Sequence, residues 1–231
     1  MLDVRTITTI TLDLDDTLWA IGPVIARAER RLRDWLTLNY PRVPQAFSHD
    51  DVLRLRNQVI AEHADRSHDL TFLRREVITR MGQTAGYTID VDAAFDVFDS
   101  ERNDLDLYPD VRPALSSLTQ RFTLIAVTNG NADLDKIGIG DLFDGFVSAR
   151  TAGAAKPAPP IFEAAVEAGG AAAAQTLHVG DHPRLDINGA REAGLWAVWI
   201  NRDNNAWPDD IDEPDGEVSD LHGLDRLLRS S

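Results

Sequence analysis

From residue 108 to the end of the chain, segments with strand composition alternate with segments of helical apolar spacing. Strands are expected at 122–128, 146–149, 176–180 and 195–200, and helices at 111–119, 160–168, 184–193 and 220–229. Regular alternation of this kind favours a parallel sheet whose strands are joined by right-handed crossover helices. The chain is therefore predicted to be an α/β protein with a parallel sheet flanked by helices.

One further strand is predicted far upstream, around residues 7–14, where Ile, Thr and Leu dominate. The next strand begins about 110 residues later, whereas a crossover helix needs only about a dozen. The intervening residues show helical spacing around 24–36, 52–60, 70–81 and 94–98. We predict that residues 1–19 and 106–231 form the core and that residues 20–105 form an inserted all-helical cap. The insertion follows the carboxyl end of a strand, the ligand-binding edge of open α/β sheets, so the cap is expected to cover the site.

The upstream strand ends in the sequence DLDDT, in which Asp13 and Asp15 lie two residues apart. Side chains alternate along a strand, so these two carboxylates leave its end on the same side. Their repulsion is costly unless a cation or a proton intervenes, which indicates a metal site or acid–base chemistry. The alternative is a solvated turn in which Asp16 or Thr17 caps the next helix.

Polar residues also follow the later strands, and a parallel sheet would bring them to the same edge. Thr128 and Asn129 follow one strand, where a hydroxyl and the N–H groups of a turn can face an anion. Lys156 precedes a Pro-rich helix start and is one of only two lysines among 23 basic residues. An ammonium suits a phosphate oxygen, although a plain turn and a surface lysine are the alternatives.

The strand at 176–180 is followed by GDHPRLD, which puts Asp181 and Asp186 at a strand-to-helix junction. Asp181 directly follows a glycine and a strand of buried character, which favours a functional role. Asp186 alone would be interpreted as a helix cap or an acid in the first helical turn. His178 is expected to pack in or near the strand and His182 to lie at the edge of the site. No histidine spacing indicates zinc.

Composition limits the kinds of partner. The chain has 231 residues with 43% apolar content, enough for a sizeable core. The absence of cysteine fits a reducing, cytoplasmic compartment, and neither a signal sequence nor an apolar run of roughly 18 residues is evident. A net charge of −15 argues against duplex nucleic acid and anionic membranes as partners. Nothing in the sequence indicates an oligomeric state.

Together, the motifs DLDDTL, TNG, KPAPPIF and GDHPRLD resemble, in order, those of the haloacid dehalogenase superfamily in its phosphatase branch. Each motif alone is weak, but their order, their positions at strand ends and helix starts, and the insertion make the match highly specific. The resemblance implies a Rossmann-like catalytic core, a helical cap of the first type after the first motif, and Mg²⁺ as the cofactor.

The resemblance also implies a role for each site residue. Asp13 would be the nucleophile that forms a phosphoaspartate, and Asp15 the general acid and base. Mg²⁺ would be bound by Asp13, by the backbone carbonyl of Asp15 and by Asp181. Asp186 would orient Lys156 or Asp181 from behind the site. The transferring phosphoryl oxygens would be held by Thr128, the Asn129 backbone and Lys156.

At the level of the substrate, the chain resembles bacterial phosphatases of riboflavin metabolism that act on FMN and on 5-amino-6-(5-phospho-D-ribitylamino)uracil. The likeness includes DLDDTLW with PVIARAE, TNGNADL, GIGDLFD and LHVGDHPRLDINGA. Ala158 departs from it, because many relatives carry Asp in KPDP, and this puts a local turn contact in doubt. A small-molecule phosphomonoester is therefore the expected substrate. Nucleotide phosphates, sugar phosphates and a phosphomutase reaction stay open.

Two other classes of protein share part of this pattern. A response-regulator receiver also gathers acidic residues, a Thr and a Lys around a phosphorylatable Asp, but Asp15 and the insertion argue against a signalling module. A carbon–halogen hydrolase of the same superfamily needs neither an acid for its leaving group nor Mg²⁺, and Asp15 again argues otherwise. Candidate leaving-group contacts, with core aromatics and solvated arginines as the alternative, are Trp19, Phe72, Arg74 and Arg75.

Overall fold

The computed structural model describes residues 3–229. Its strands are β1 (Thr9–Leu12), β2 (Thr123–Thr128), β3 (Gly145–Ser148), β4 (Thr176–Gly180), β5 (Trp196–Ile200) and β6 (Gly216–Val218). They form a six-stranded sheet in the order β3-β2-β1-β4-β5-β6. Every neighbouring pair is parallel. The predicted parallel α/β class is confirmed.

The α-helices run between and around these strands. Those before β2 are α1 (Ile21–Asn39), α2 (Arg42–Ala46), α3 (His49–Glu62), α4 (Leu70–Thr84), α5 (Val91–Asn103) and α6 (Val111–Leu118). Those after it are α7 (Leu134–Ile137), α8 (Ala149–Ala152), α9 (Pro159–Gly169), α10 (Gly189–Glu192) and α11 (Leu221–Leu227). Across residues 3–229, no helix is long and apolar enough to cross a membrane.

The strand β1 lies in the interior of the sheet, with β2 on one side and β4 on the other. All four of its residues are buried, as expected for a parallel strand covered on both faces. Thr11 is opposite Ile125 of β2 and His178 of β4. This register brings the carboxyl ends of the three strands side by side, which is the usual ligand-binding edge of such a sheet.

The chain divides into two compact units. The first contains the sheet and consists of the described residues up to Ala20, Asp106–Gly130 and the residues from Ile137 onward. The second consists of Ile21–Leu105 and Asn131–Lys136. The sequence had suggested the sheet unit for 131–136. These residues group with the helices because the Asp133 N–H donates to Asn103 Oδ1 at 2.9 Å and Lys136 Nζ donates to Asp99 at 2.6 Å.

The helical unit has its own apolar core and well-formed helix starts. Ser48 begins α3 with a capping box that includes Asp51, and Asp69 caps α4 by accepting from the Phe72 N–H. The structure adds α2 to the four predicted helices, because a single turn is too short to show a helical period. The core of this unit includes Ala28, Leu32, Leu36, Val43, Val59, Leu73, Val77, Ile78, Met81, Ala94 and Phe98.

The sheet unit differs from the prediction at three short elements. The strand β6 was not predicted, because its three residues are too few to show strand alternation. The third strand ends at Ser148, which caps α8. The helix expected at 184–193 is a π-helical segment, Pro183–Asn188, followed by α10.

Candidate active site

Acidic side chains lie where β1 and β4 end. Asp13 directly follows β1, and its N–H donates to the Val179 carbonyl of β4 at 2.9 Å, which continues the ladder by one residue. Asp181 directly follows β4, and its carbonyl accepts from the Trp199 indole at 2.7 Å. Asp13 is buried, with 6% of its surface exposed. The solvated-turn alternative therefore does not apply to Asp13.

Lys156 is the positive charge of this cluster. Its ammonium nitrogen lies 2.5 Å from Asp13 Oδ1, 2.6 Å from Asp186 Oδ1 and 3.3 Å from the Val127 carbonyl. These three oxygens match the three N–H donors of an ammonium group. Lys156 is only 5% exposed, so the surface-lysine alternative is wrong. The structure brings Lys156 into direct contact with both Asp13 and Asp186.

The turn after β2 holds the backbone of Lys156. The Asn129 side chain accepts from the Lys156 N–H at 2.7 Å and donates to the Lys156 carbonyl at 3.0 Å. Thr128 is buried, and its hydroxyl accepts from the Gly130 N–H at 2.8 Å. Both polar atoms of the Asn129 amide are therefore engaged by the Lys156 backbone.

Asp186 lies behind Lys156 and is almost fully buried. Its Oδ1 accepts from Lys156 and faces His178 Nε2 at 3.3 Å, while its Oδ2 accepts from the His182 N–H at 3.0 Å. The carboxylate packs directly on Gly180, where a Cβ would lie 2.4 Å from Asp186 Cγ. The carboxyl group of Asp186 therefore has this position only because residue 180 has no side chain.

Three carboxylates form a candidate metal site, because each offers an oxygen within 4.8 Å of the other two. They belong to Asp13, Asp181 and Asp186. Hard carboxylate oxygens at this spacing fit a divalent cation such as Mg²⁺. The sequence had assigned the third contact to the Asp15 backbone carbonyl. The structure adds the Asp186 carboxylate to the group, although Lys156 already binds one of its oxygens.

The charges of this cluster are not balanced by protein groups alone. Burial, with the charges of Asp186 and Asp181, raises the pKa of Asp13. Burial, Asp186 and Asp16 raise the pKa of Asp181 to about 7. Three carboxylates thus face one ammonium, and a bound cation would restore the ionised form of the two whose pKa is raised.

The pKa values of Lys156 and Asp186 are shifted in the directions that keep both groups charged. Burial would raise the pKa of Asp186, but Lys156 and His178 hold it well below its ordinary value. Burial would also lower the pKa of Lys156, but Asp13 and Asp186 raise it. Lys156 and Asp186 therefore form a permanent ion pair at neutral pH. Burial lowers the pKa of His178, so its ring is neutral there.

The loop after Asp13 is closed on itself and brings Asp15 and Trp19 together. The Trp19 indole N–H donates to Asp15 Oδ1 at 2.8 Å, and the Asp16 N–H donates to the Trp19 carbonyl at 2.7 Å. Asp16 has a left-handed backbone with a φ of 61°, as expected of a turn residue. Thr17 is buried, and its hydroxyl lies 3.5 Å from Asp181 Oδ1. Trp19 is fully buried, which supports the core alternative for this aromatic residue.

Two further residues that support the site were not singled out from the sequence. Arg202 donates from Nε to the Thr17 carbonyl at 2.9 Å and forms a two-pronged ion pair with Asp110. Its guanidinium also lies 4.0 Å from the centre of the Tyr108 ring. No sequence signal pointed to Arg202. Thr11 is the second such residue, since its hydroxyl lies 2.8 Å from His178 Nδ1. The only sequence feature that could have pointed to this contact is the histidine within an otherwise apolar strand.

The other candidate leaving-group contacts have partners inside the helical unit. Phe72 lies under the Arg66 guanidinium, 3.4 Å from the ring centre. Arg74 pairs with Glu29 at 2.7 Å, and Arg75 pairs with Asp92. These contacts support the structural alternative for the three side chains.

Comparisons with known proteins agree with the motifs. A family model described as haloacid dehalogenase-like hydrolase matches residues 7–194. The 5-amino-6-(5-phospho-D-ribitylamino)uracil phosphatase YigB of Escherichia coli K12 is 32% identical over 230 residues, which is 96% of each chain. A pyrimidine 5′-nucleotidase, YjjG, of the same organism is 38% identical over 108 residues, covering 44% of this chain and 48% of its own.

Solved structures are also similar over almost the whole chain. One of them is named a 2-haloacid dehalogenase, from Pseudomonas syringae pv. tomato DC3000, and it is 37% identical with a TM-score of 0.92. The match covers 97% of this chain and 99% of that one. The chain is therefore similar in sequence to a protein named a phosphatase and in fold to one named a dehalogenase.

Proposed function

Because this chain belongs to the haloacid dehalogenase-like hydrolase family, we propose that it is a Mg²⁺-dependent phosphatase of small phosphomonoesters. The observation that supports this most strongly is the cluster formed by buried Asp13, Asp186 and Lys156 with the half-buried Asp181. A carboxylate nucleophile beside an ammonium and further acidic ligands suits a phosphate group. The charge of that group would otherwise be repelled by a protein of net charge −15.

In the first step, an Asp13 carboxylate oxygen attacks the phosphorus atom of the bound ester. The P–O bond to the leaving group breaks, and its electron pair stays on the alkoxide oxygen. Asp15 donates a proton to that oxygen, so an alcohol leaves and an aspartyl phosphate remains on Asp13. The Lys156 N–H that contacts Asp13 Oδ1 turns to a phosphoryl oxygen as the phosphorus atom moves toward Asp13.

In the second step, Asp15 takes a proton from a water molecule, which attacks the same phosphorus atom. The bond between phosphorus and the Asp13 oxygen breaks, and inorganic phosphate and the free Asp13 carboxylate result. Asp15 thereby acts as acid and then as base, which requires that it stand beside the reacting atoms without being a nucleophile. Its hydrogen bond from Trp19 limits the motion of the carboxylate between the two steps.

Asp13 and Asp181, together with the Asp15 backbone carbonyl, are the proposed ligands of Mg²⁺. When bound, Mg²⁺ would neutralise negative charge on the phosphoryl oxygens and on these carboxylates. The raised pKa of Asp13 and the value of about 7 for Asp181 support this assignment, because both groups need a positive neighbour to stay ionised at neutral pH.

For the substrate, we propose FMN or 5-amino-6-(5-phospho-D-ribitylamino)uracil. Likeness to the phosphatase named for the second compound, over 96% of both chains, supports this choice. Nucleotide phosphates are the next candidates, because a pyrimidine 5′-nucleotidase matches part of the chain. The cytoplasm, expected from the cysteine-free composition, remains the proposed compartment.

Hydrolysis of a carbon–halogen bond is the second candidate function, because a structural neighbour at 37% identity is named a 2-haloacid dehalogenase. A halide leaves without a proton, so a general acid and a divalent cation would have no task there. Asp15 and the carboxylate cluster of Asp13, Asp181 and Asp186 therefore favour phosphate.

The test uses p-nitrophenyl phosphate with and without Mg²⁺, and 2-chloropropionate with detection of halide. We expect Mg²⁺-dependent phosphate release that falls by at least about a thousandfold in Asp13→Asn, and no halide release. Asp16→Asn, which changes an exposed carboxylate of the same loop, is the matched control and should stay near the wild-type rate. Halide release without phosphate release would reverse the assignment. A screen of flavin, nucleotide and sugar phosphates then tests the substrate.

A further inference from the structure

A buried hydrogen-bonded chain runs from the middle of β1 to the proposed phosphate site. Thr11 and His178 are opposite each other in the β1–β4 ladder, and both side chains are fully buried. Thr11 Oγ1 lies 2.8 Å from His178 Nδ1, and His178 Nε2 lies 3.3 Å from Asp186 Oδ1. Asp186 in turn binds the Lys156 ammonium. The chain therefore connects a strand hydroxyl to the group that would hold phosphate.

The Asp186 carboxylate determines which ring nitrogen carries the hydrogen. An ionised carboxylate only accepts hydrogen bonds, so the nitrogen that faces Asp186 must be an N–H. In a neutral imidazole the other nitrogen, Nδ1, then has only a lone pair. The Thr11 hydroxyl is the donor for this lone pair. No water is needed to complete the arrangement, since each polar atom of the ring has a protein partner.

The other tautomer would damage the site. With the hydrogen on Nδ1, the Nε2 lone pair would face the lone pairs of Asp186 Oδ1, and the carboxylate would turn away. Lys156 would then lose one of its two carboxylate partners. The His178 ring packs edge to face on the Phe162 ring, with 5.2 Å between the ring centres. This contact restricts movement of the histidine that would relieve the repulsion.

We propose that Thr11 and His178 are positioning residues of the phosphate site: the Thr11 hydroxyl donates to Nδ1 and holds the His178 ring, whose Nε2–H holds Asp186 against Lys156. Neither side chain touches the substrate. The proposal rests on the proposed function, because it assumes that Lys156 binds a phosphoryl group. It extends the functional site by two side chains that lie inside the sheet.

The closing experiment compares three variants of the full chain in the presence of Mg²⁺. Thr11→Val removes the hydroxyl and keeps the shape, and valine is favourable in a strand. Thr11→Ser restores the hydroxyl. Thr9→Val is the matched control, because Thr9 lies two residues earlier on the same face of β1 and its hydroxyl makes only a 3.4 Å bond to the Gly169 carbonyl.

Three quantities are measured, namely the affinity for inorganic phosphate by calorimetry, kcat/KM for p-nitrophenyl phosphate, and the ¹⁵N shifts of the His178 ring by NMR. We expect Thr11→Val to weaken phosphate binding by about tenfold, because a His178 ring without its Thr11 partner no longer maintains the hydrogen bond to the charged Asp186 carboxylate. Hydrolysis of p-nitrophenyl phosphate should lose a similar factor in kcat/KM. Thr11→Ser should regain most of both, and Thr9→Val should resemble the wild type. The wild-type ring should give the Nε2–H pattern, which Thr11→Val perturbs.

Equal phosphate affinity in Thr11→Val and Thr11→Ser would overturn the proposal, as would an Nδ1–H or doubly protonated His178 in the wild type at neutral pH. A wild-type protein that does not bind inorganic phosphate would overturn it too. If the Thr11 variants differ in phosphate affinity while the wild type hydrolyses no phosphomonoester, the positioning role is supported and the proposed function alone is contradicted.

Discussion

Lys156 shows how strongly the surroundings of one residue decide its role. The chain has two lysines, and the other, Lys136, is about half exposed and pairs with Asp99. The Lys156 side chain is 3% exposed and lies between two buried carboxylates. Breaking a buried ion pair from one side leaves uncompensated charge, whereas an exposed pair is worth little.

We therefore predict that Lys156→Gln lowers the free energy of unfolding by about 3–5 kcal/mol and abolishes phosphate binding, because Asp13 and Asp186 lose their cation. Lys136→Gln is the matched control and should change stability by no more than about 1 kcal/mol. Urea unfolding of both variants without metal measures the difference. Similar losses in the two variants would contradict the assigned burial of Lys156.

Asp181 gives a prediction about pH. In the metal-free protein its pKa is raised from 3.8 to about 7, by burial, Asp186 and Asp16. Between these two values the unfolded chain loses the Asp181 proton and the folded protein keeps it, so ionisation favours unfolding and stability falls as pH rises. Above about pH 7 this contribution is constant.

Asp181→Asn removes this contribution, since asparagine does not ionise. The melting temperature of the variant, relative to the wild type, should therefore increase as pH is raised from about 4 to about 7 with a chelator present. Mg²⁺ should raise the melting temperature of the wild type at neutral pH and that of the variant much less. A difference between variant and wild type that does not change with pH would contradict the shifted pKa of Asp181.

At the scale of the element, the end of β4 depends on one missing side chain. A Cβ at Gly180 would lie 2.4 Å from Asp186 Cγ and 2.6 Å from Asp186 Oδ2, closer than atoms can approach. We predict that Gly180→Ala displaces Asp186 from Lys156 and lowers kcat/KM for p-nitrophenyl phosphate by at least about tenfold. Gly22→Ala, at a helical glycine with no atoms within 4 Å of its Cβ position, should leave the rate unchanged. Equal rates in the two variants would show that the Asp186 carboxylate can shift without consequence.

The elements also show what a sequence can and cannot predict. Strand ends rich in carboxylates were predictable at Asp13 and Asp181, because an apolar run that stops at acidic residues is a local pattern. The contact of His178 with Thr11 was not, since it depends on the register of two strands whose residues are 167 positions apart. Arg202 was missed for the same reason, because its partners Asp110 and Thr17 are distant in sequence. β6 was missed because three residues between acidic turns carry no period.

At the scale of the whole molecule, the helical insertion leaves and re-enters the sheet unit at one place. The Tyr108 N–H donates to the Leu18 carbonyl at 2.9 Å, so the two ends of the insertion lie side by side. Adjacent ends are what an inserted domain requires of its host. The proposed nucleophile and its charged partners, namely Asp13, Lys156, Asp181 and Asp186, all belong to the sheet unit.

Replacement of residues 21–105 by a Gly-Ser linker of about four residues is therefore compatible with the sheet, since such a linker closes a short gap between adjacent ends. We predict that the shortened chain binds Mg²⁺ and inorganic phosphate within about tenfold of the full chain, because the charged cluster is intact. It should lose any preference for FMN over p-nitrophenyl phosphate if the insertion is the predicted cap. Calorimetry with each ligand and a comparison of kcat/KM for the two esters measure these effects.

Two outcomes would contradict the prediction. A shortened chain that folds but binds no phosphate would mean that the helical unit supplies a phosphate ligand. A retained FMN preference would assign leaving-group recognition to the sheet unit.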